Sequence, residues 1–192
     1  MFYVLKKVVR SGGEGYFEND FNISRFFYHK EQNIMKPIVN LNEVELQRHK
    51  QGSFSGGYGI LSDLIGAKKL GYNVTTCDPG AKVCPFHNHH QTEEMFLILE
   101  GKGTLRFGNQ EYAIGPMDVI ACPPGGPEVA HQILNTGQGP LRYLSVSTRD
   151  EVDVCEYPDS NKLGVYAGKA GDRRLRKLFQ SESEVDYWKG EE

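Results

Sequence analysis

An antiparallel all-β sandwich or barrel is the fold that this 192-residue sequence predicts. Three features carry the prediction. Short apolar or alternating runs of strand length recur at even spacing. Turn-forming clusters rich in Gly and Pro separate them. The spacing leaves no room for the helical crossovers of βαβ units. Composition agrees: 22 Gly and 9 Pro concentrate between the apolar runs, and 39% hydrophobic with 24% charged residues is ordinary for a globular chain. The length suits one good core and is short for two.

Residues 1–34 mix Phe and Tyr with Gly and charge and show no sustained period. They end at a second methionine, Met35. Two readings stand: an extension upstream of a natural start at Met35, or an arm packed on the barrel or on a partner. The barrel with its lead-in is expected over 35–150, and 151–192 as a tail packed on it.

Residues 42–50 suit a short helical turn capped by Asn42. Strands are then expected at 57–65, 69–77, 82–89, 94–100, 102–107, 110–114, 117–121, 128–135 and 140–148. Asp78-Pro79-Gly80, Gly101-Lys102-Gly103, Gly108-Asn109, Gly115-Pro116, the run from Pro123 to Pro127 and the run from Thr136 to Pro140 separate most of them. Residues 150–192 read as polar and irregular, anchored by Tyr157, Tyr166, Tyr187 and Trp188. The sequence holds no internal repeat.

Charge and motifs exclude several classes. The net charge is −3. Arg173, Arg174, Arg176 and Lys177 form a short basic cluster best read as solvated surface, so no nucleic-acid partner is expected. No apolar run spans a bilayer, and Met1–Arg10 lacks the features of a secretory signal, so a cytoplasmic protein without a membrane partner is expected. Cys77, Cys84, Cys122 and Cys155 show no CxxC spacing. Cys77 and Cys122 read as core thiols. No Ser/His/Asp triad or phosphate loop is present.

The chemistry concentrates in a split cluster. His87, Asn88, His89 and His90 precede Glu93 and Glu94, and His131 follows some forty residues later. Three imidazoles and a carboxylate suit a divalent transition metal. Strand alternation projects His87 and His89 together and His90 to the other side. On the next strand Glu94, Phe96 and Ile98 share a face, and Met95, Leu97 and Leu99 the other. His131 shares its face with Val129, Ile133 and Asn135. His29 and His49 read as ordinary polar residues. Glu93 is the rival of Glu94. Cys84 is aimed away from His87 and His89 by alternation, unless a bulge at Pro85 turns it.

The spacing resembles the cupin family. Gly80-x6-His87-x-His89-x4-Glu94-x6-Gly101 matches its first motif, with one residue more before the first histidine. Gly115-x7-Pro123-x-Gly125-x5-His131-x3-Asn135 resembles its second, with a longer Pro/Gly loop. The resemblance covers residues 80–135. It implies a double-stranded β-helix, the jelly-roll barrel, with irregular N- and C-terminal extensions. It implies metal ligands His87, His89, Glu94 and His131, and a turn shaped by Pro123 and Gly125. One divalent ion, whether Zn, Mn, Fe, Ni or Co, is the expected cofactor. Phe96, Ile98, Ile133, Tyr72, Tyr143 and Arg106 are expected to line the pocket, with Tyr112 a further candidate near the metal and no catalytic base identified.

Three functions fit such a site. The first is a small-molecule enzyme of isomerase or lyase type acting on a sugar-like or oxygenated metabolite. The tail around Val154–Ser160 is similar to that of small bacterial single-domain cupins of sugar-phosphate-isomerase type. The second is an Fe(II) dioxygenase, and the third a non-catalytic small-ligand binder. A homodimer is expected from the outward Met95, Leu97 and Leu99.

Overall fold

The structure, a computed structural model, describes residues 36–169 and 171–191. The expectations for residues 1–34 lie outside them. Among the described residues the strands are β1 (Gln47–Gln51), β2 (Phe54–Ile60), β3 (Leu70–Cys77), β4 (Asn88–His89), β5 (Glu94–Glu100), β6 (Gly103–Phe107) and β7 (Gln110–Ile114). They continue with β8 (Val119–Cys122), β9 (His131–Leu134), β10 (Leu141–Thr148), β11 (Val152–Tyr157), β12 (Lys162–Lys169) and β13 (Asp172–Gln180). One sheet runs β1-β2-β3-β10-β5-β8, a second β7-β6-β9, and a third β13-β12-β11-β4. This is the jelly-roll barrel expected from the sequence. None of the described helices is long and apolar enough to cross a membrane.

The first two sheets share one hydrophobic cluster. Cys77, Ile98, Phe96, Ile120, Cys122, Leu141 and Tyr143 meet Leu105, Ile114 and Ile133 there. Alternation along β5 buries Glu94, Phe96 and Ile98 and leaves Met95, Leu97 and Leu99 half-buried on the other face. Residues directly opposite in a ladder share a face. Tyr143 is opposite Ile98, Ser145 opposite Phe96, and Ser147 opposite Glu94. Asn73 is opposite Ser145 on the next strand. The inner wall is therefore apolar at Ile98 and Tyr143 and turns polar towards Glu94.

Several elements differ from expectation. The turn expected over 42–50 is a single 3-10 turn, Leu41–Glu43, capped by Asn40, which accepts from the Asn42 N–H at 3.0 Å. The chain then extends and pairs as β1 with β2. The glycines of β2 permit this, since a Cβ on Gly59 would stand 2.4 Å from Val44 Cγ1. Of 82–89 only Asn88–His89 is regular strand, because Pro85 cannot donate to a ladder. Pro127–Val129 forms a 3-10 turn before β9.

The largest correction concerns 150–192. It is regular strand through β11, β12 and β13 and irregular only beyond Gln180. Asn161 at φ 48° closes the first of these hairpins. The polar residues of β11 do alternate, but with polar and thiol groups on the buried face: Asp153 and Cys155 are buried while Val152 is exposed.

Candidate metal centre

The centre draws on all three sheets, with Glu94 on β5 of the first, His131 on β9 of the second and His89 on β4 of the third. The His87 backbone bridges to His131: the His131 N–H donates to His87 O at 2.7 Å, and the His87 N–H to His131 O at 3.2 Å. One residue on, the same segment turns its other edge to β11, where His89 is opposite Cys155 and Asn88 opposite Glu156. The His90 N–H donates to Val154 O at 2.9 Å. His131, His87, His89 and Cys155 thus lie on one face. The Pro/Gly loop is tied to this segment, with Asn88 Nδ2 donating to Gly125 O at 2.8 Å and the Gly125 N–H to His89 O at 2.8 Å.

All three rings turn the same nitrogen inward. His87 Nδ1 is 2.9 Å from Pro85 O and His131 Nδ1 is 3.3 Å from Val129 O. His89 Nδ1 is 2.5 Å from Asp153 Oδ2. Carbonyl and carboxylate oxygens only accept, so each Nδ1 is the donor and carries a proton. The Nε2 atoms converge on one oxygen. Glu94 Oε2 lies 3.8 Å from His87 Nε2, 3.5 Å from His89 Nε2 and 3.2 Å from His131 Nε2. The ligating atoms of His87, His89 and Glu94 all lie within 4.8 Å of one another, and His131 joins through Glu94.

This donor set fits a divalent transition metal. His89 Nε2 is buried and has no hydrogen-bond partner, an orphaned atom aimed into the cluster. Each opposite ring nitrogen is already anchored, as metal-binding histidines require. The His87 and His89 rings differ in charge, and a metal bound at His89 Nε2 would displace a proton. Burial, and next the neighbouring His131 and His89, lower the His87 pKa from 6.5 to about 3, so its ring is neutral. At His89 burial opposes charge, but Asp153, Cys155 and Glu94 outweigh it and the pKa stands well above 6.5. Burial likewise opposes the Glu94 charge, and the His131 and His89 partners outweigh it, so the carboxylate stays ionised.

The other sequence-singled residues fall as follows. Phe96, Ile98, Ile133 and Tyr143 are buried in the barrel, with the Phe96 and Tyr143 rings edge-to-face at 5.8 Å. Burial, then Cys84 and Cys77, raise the Tyr143 pKa well above 10, so its phenol stays protonated. Tyr72 does not line the interior. It is opposite Val146, and Val146 opposite Met95, on the face away from Glu94. Arg106 does not either. Its neighbour Leu105 takes the core face, and its guanidinium is committed to Asp159 at 2.7 and 2.9 Å and to the Phe86 ring at 3.7 Å. Tyr112 is exposed and donates to Gln110. His90 and Glu93 are exposed, and His90 pairs with Glu156 at 2.7 Å. Cys84 belongs to neither ligand group among the described residues. Burial, and then the charge of Glu94, push its thiol up to about 12, so it stays protonated although alternation breaks at Pro85.

Sequence reasoning missed Asp153, Cys155 and Tyr157. Cys155 Sγ lies 3.1 Å from His89 Nδ1, and the Tyr157 ring stacks on His87 at 6.2 Å. Their alternating spacing is visible in the sequence, but the segment reads as an irregular tail and so carries no inner face.

Comparison with known proteins gives the family. The family model described as "Cupin domain" matches residues 73–147. Auxin-binding protein T92 of Nicotiana tabacum is 33% identical over 135 residues, covering 64% of this chain and 70% of that protein. A protein of Acidithiobacillus ferrooxidans provisionally named a sugar phosphate isomerase superposes with TM-score 0.68 at 25% identity, covering 79% of this chain and 96% of that one. A cupin of Silicibacter pomeroyi named a sugar phosphate isomerase superposes at 0.66 with 24% identity, covering 77% and 95%. The chain belongs to the cupin superfamily.

Proposed function

We propose that this cupin is a metal-dependent enzyme of isomerase or lyase type acting on a small oxygenated, sugar-like molecule. The observation that carries the reading is the convergence of three Nδ1-anchored histidines, through Nε2, on Glu94 Oε2. His87, His89, His131 and Glu94 would hold one divalent transition ion. Such an ion polarises a carbonyl or hydroxyl oxygen when bound. The ligand set leaves its identity open among Zn, Mn, Fe, Ni and Co.

The chain's own residues supply the rest. Phe96, Ile98 and Ile133 exclude water from the inner side of the centre. Ser145, Ser147 and Asn73 share the inner face with Glu94 and give neutral hydrogen-bonding partners for substrate hydroxyls. The structural likeness to a protein provisionally named a sugar phosphate isomerase supports this substrate class.

A binding role without turnover is favoured by one observation, the likeness to a protein named as auxin-binding. The test is metal analysis of protein purified without nickel, followed by incubation with aldoses, ketoses and their phosphates in deuterated water. Metal-dependent deuterium uptake beside a carbonyl supports the isomerase. Tight binding with neither exchange nor product supports the binding role. Turnover that stops under strict anaerobiosis supports the Fe(II) dioxygenase.

The expected homodimer rests on the outward Met95, Leu97 and Leu99, and Val119, opposite Leu97 on the edge strand β8 and 66% exposed, extends that face. A light-scattering mass of one chain at working concentration would overturn it.

A further inference from the structure

We propose that Asp153 is the positioning residue of this centre, holding the His89 ring through Nδ1–H so that Nε2 faces the ligand cluster. The inference rests on the metal reading only for its consequence on affinity. The ring geometry stands independently.

Of the three rings, His87 and His131 give Nδ1–H to backbone carbonyls two residues away in sequence. Those anchors come with the local chain. His89 differs: its anchor is a carboxylate 64 residues away, on β11. An ionised carboxylate makes a stronger, charge-assisted bond than a carbonyl.

Asp153 is also built into place. It is buried, and the cost of burying a charge is met only by full hydrogen bonding. Oδ2 accepts from His89 Nδ1 at 2.5 Å and from the Cys155 thiol at 3.5 Å. Oδ1 accepts from the backbone N–H of Gln91 at 3.1 Å and of Thr92 at 3.4 Å. These two amides belong to the turn that carries the chain from His89 to Glu94. One carboxylate therefore fixes the ring of one candidate ligand and the turn that delivers another. The Cys155 thiol, 3.1 Å from His89 Nδ1, is a donor to Asp153 and leaves the Nδ1 proton in place.

The test uses the full chain with zinc, measured against a chelator, and nitrogen-detected NMR of the His89 ring. Wild-type protein is expected to show a solvent-protected Nδ1–H for His89 in the metal-free state, retained with zinc bound at Nε2. In Asp153→Asn that protected proton is expected to be lost and zinc affinity to fall about 10–100-fold. Cys155→Ala, which alters the same buried strand, is expected to keep both near wild type. A protected Nδ1–H in Asp153→Asn, or an equal loss in Cys155→Ala, overturns the assignment. A wild-type chain that binds no zinc overturns the metal reading alone, and the NMR signal still decides the role of Asp153.

Discussion

His87 and His131 exchange two backbone hydrogen bonds, at 2.7 and 3.2 Å, and their rings stand 4.7 Å apart. Residues 44 positions apart are thereby locked onto one face of one ladder. The centre is held by main chain before any side chain is considered.

Glu94 and Glu93 should separate sharply. Glu94 is buried among three Nε2 atoms, and Glu93 is exposed. Glu94→Gln and His87→Ala are expected to drop bound metal well below about one equivalent per chain. Glu93→Gln should keep it. Metal content by mass spectrometry, with circular dichroism to confirm folding, makes the comparison. Equal retention in all three variants would remove the ligand assignment.

Ile98 is fully buried at the centre of the shared core. Ile98→Ala is expected to cost about 2–5 kcal/mol through lost burial and the cavity left behind. Urea unfolding measures it, and a loss below about 1 kcal/mol would mean that the barrel collapses around the site.

Gly101 sits at φ 87°, and a Cβ there would stand 2.4 Å from Pro140 O. Both backbone conformation and space demand glycine. Gly101→Ala should destabilise by about 1–3 kcal/mol, readable as a lower thermal midpoint. An unchanged midpoint would show that the turn between β5 and β6 relaxes freely.

Asp78 accepts from Ser55 Oγ at 2.6 Å and from Arg48 Nη2 at 2.6 and 2.8 Å. The Ser55 hydrogen bond first, then that of Arg48, hold its carboxyl below the ordinary 3.8. A depressed acid contributes stability above its unfolded value and loses it as pH falls through the folded one. Asp78→Asn should therefore be less stable than wild type near neutrality, by about 1 kcal/mol or less for so exposed a pair. The gap should close below the ordinary carboxylate pKa. A gap independent of pH in urea titrations would contradict this.

Arg106 joins the second sheet to the turn after β11 by a bidentate pair with Asp159 and by covering Phe86. Arg106→Ala should cost more than Asp159→Ala, because it loses the stacked packing and the charge together. Since Arg106 faces away from the core, neither change should alter metal content. Metal loss in Arg106→Ala alone would return that residue to the pocket.

The sequence by itself determined the fold class and named four residues that the structure brings together. That information is local: strand alternation, turn glycines and the spacing from Gly80 to Gly101 and from Gly115 to Asn135 act within a few residues of each ligand. Strand parity set His87 and His89 apart from His90, and the spacing to Gly101 in the family motif favoured Glu94 over Glu93. Only the tertiary structure decided which side chains surround those ligands. Tyr72 and Arg106 were misplaced because the sign of a strand's inner face depends on what packs against it. Asp153 and Cys155 were missed because the pairing of β11 with β4 is a register between segments some 64 residues apart. No local period encodes such a register. It is fixed by the jelly-roll closure that lays the chain after the barrel along the short strand carrying His89.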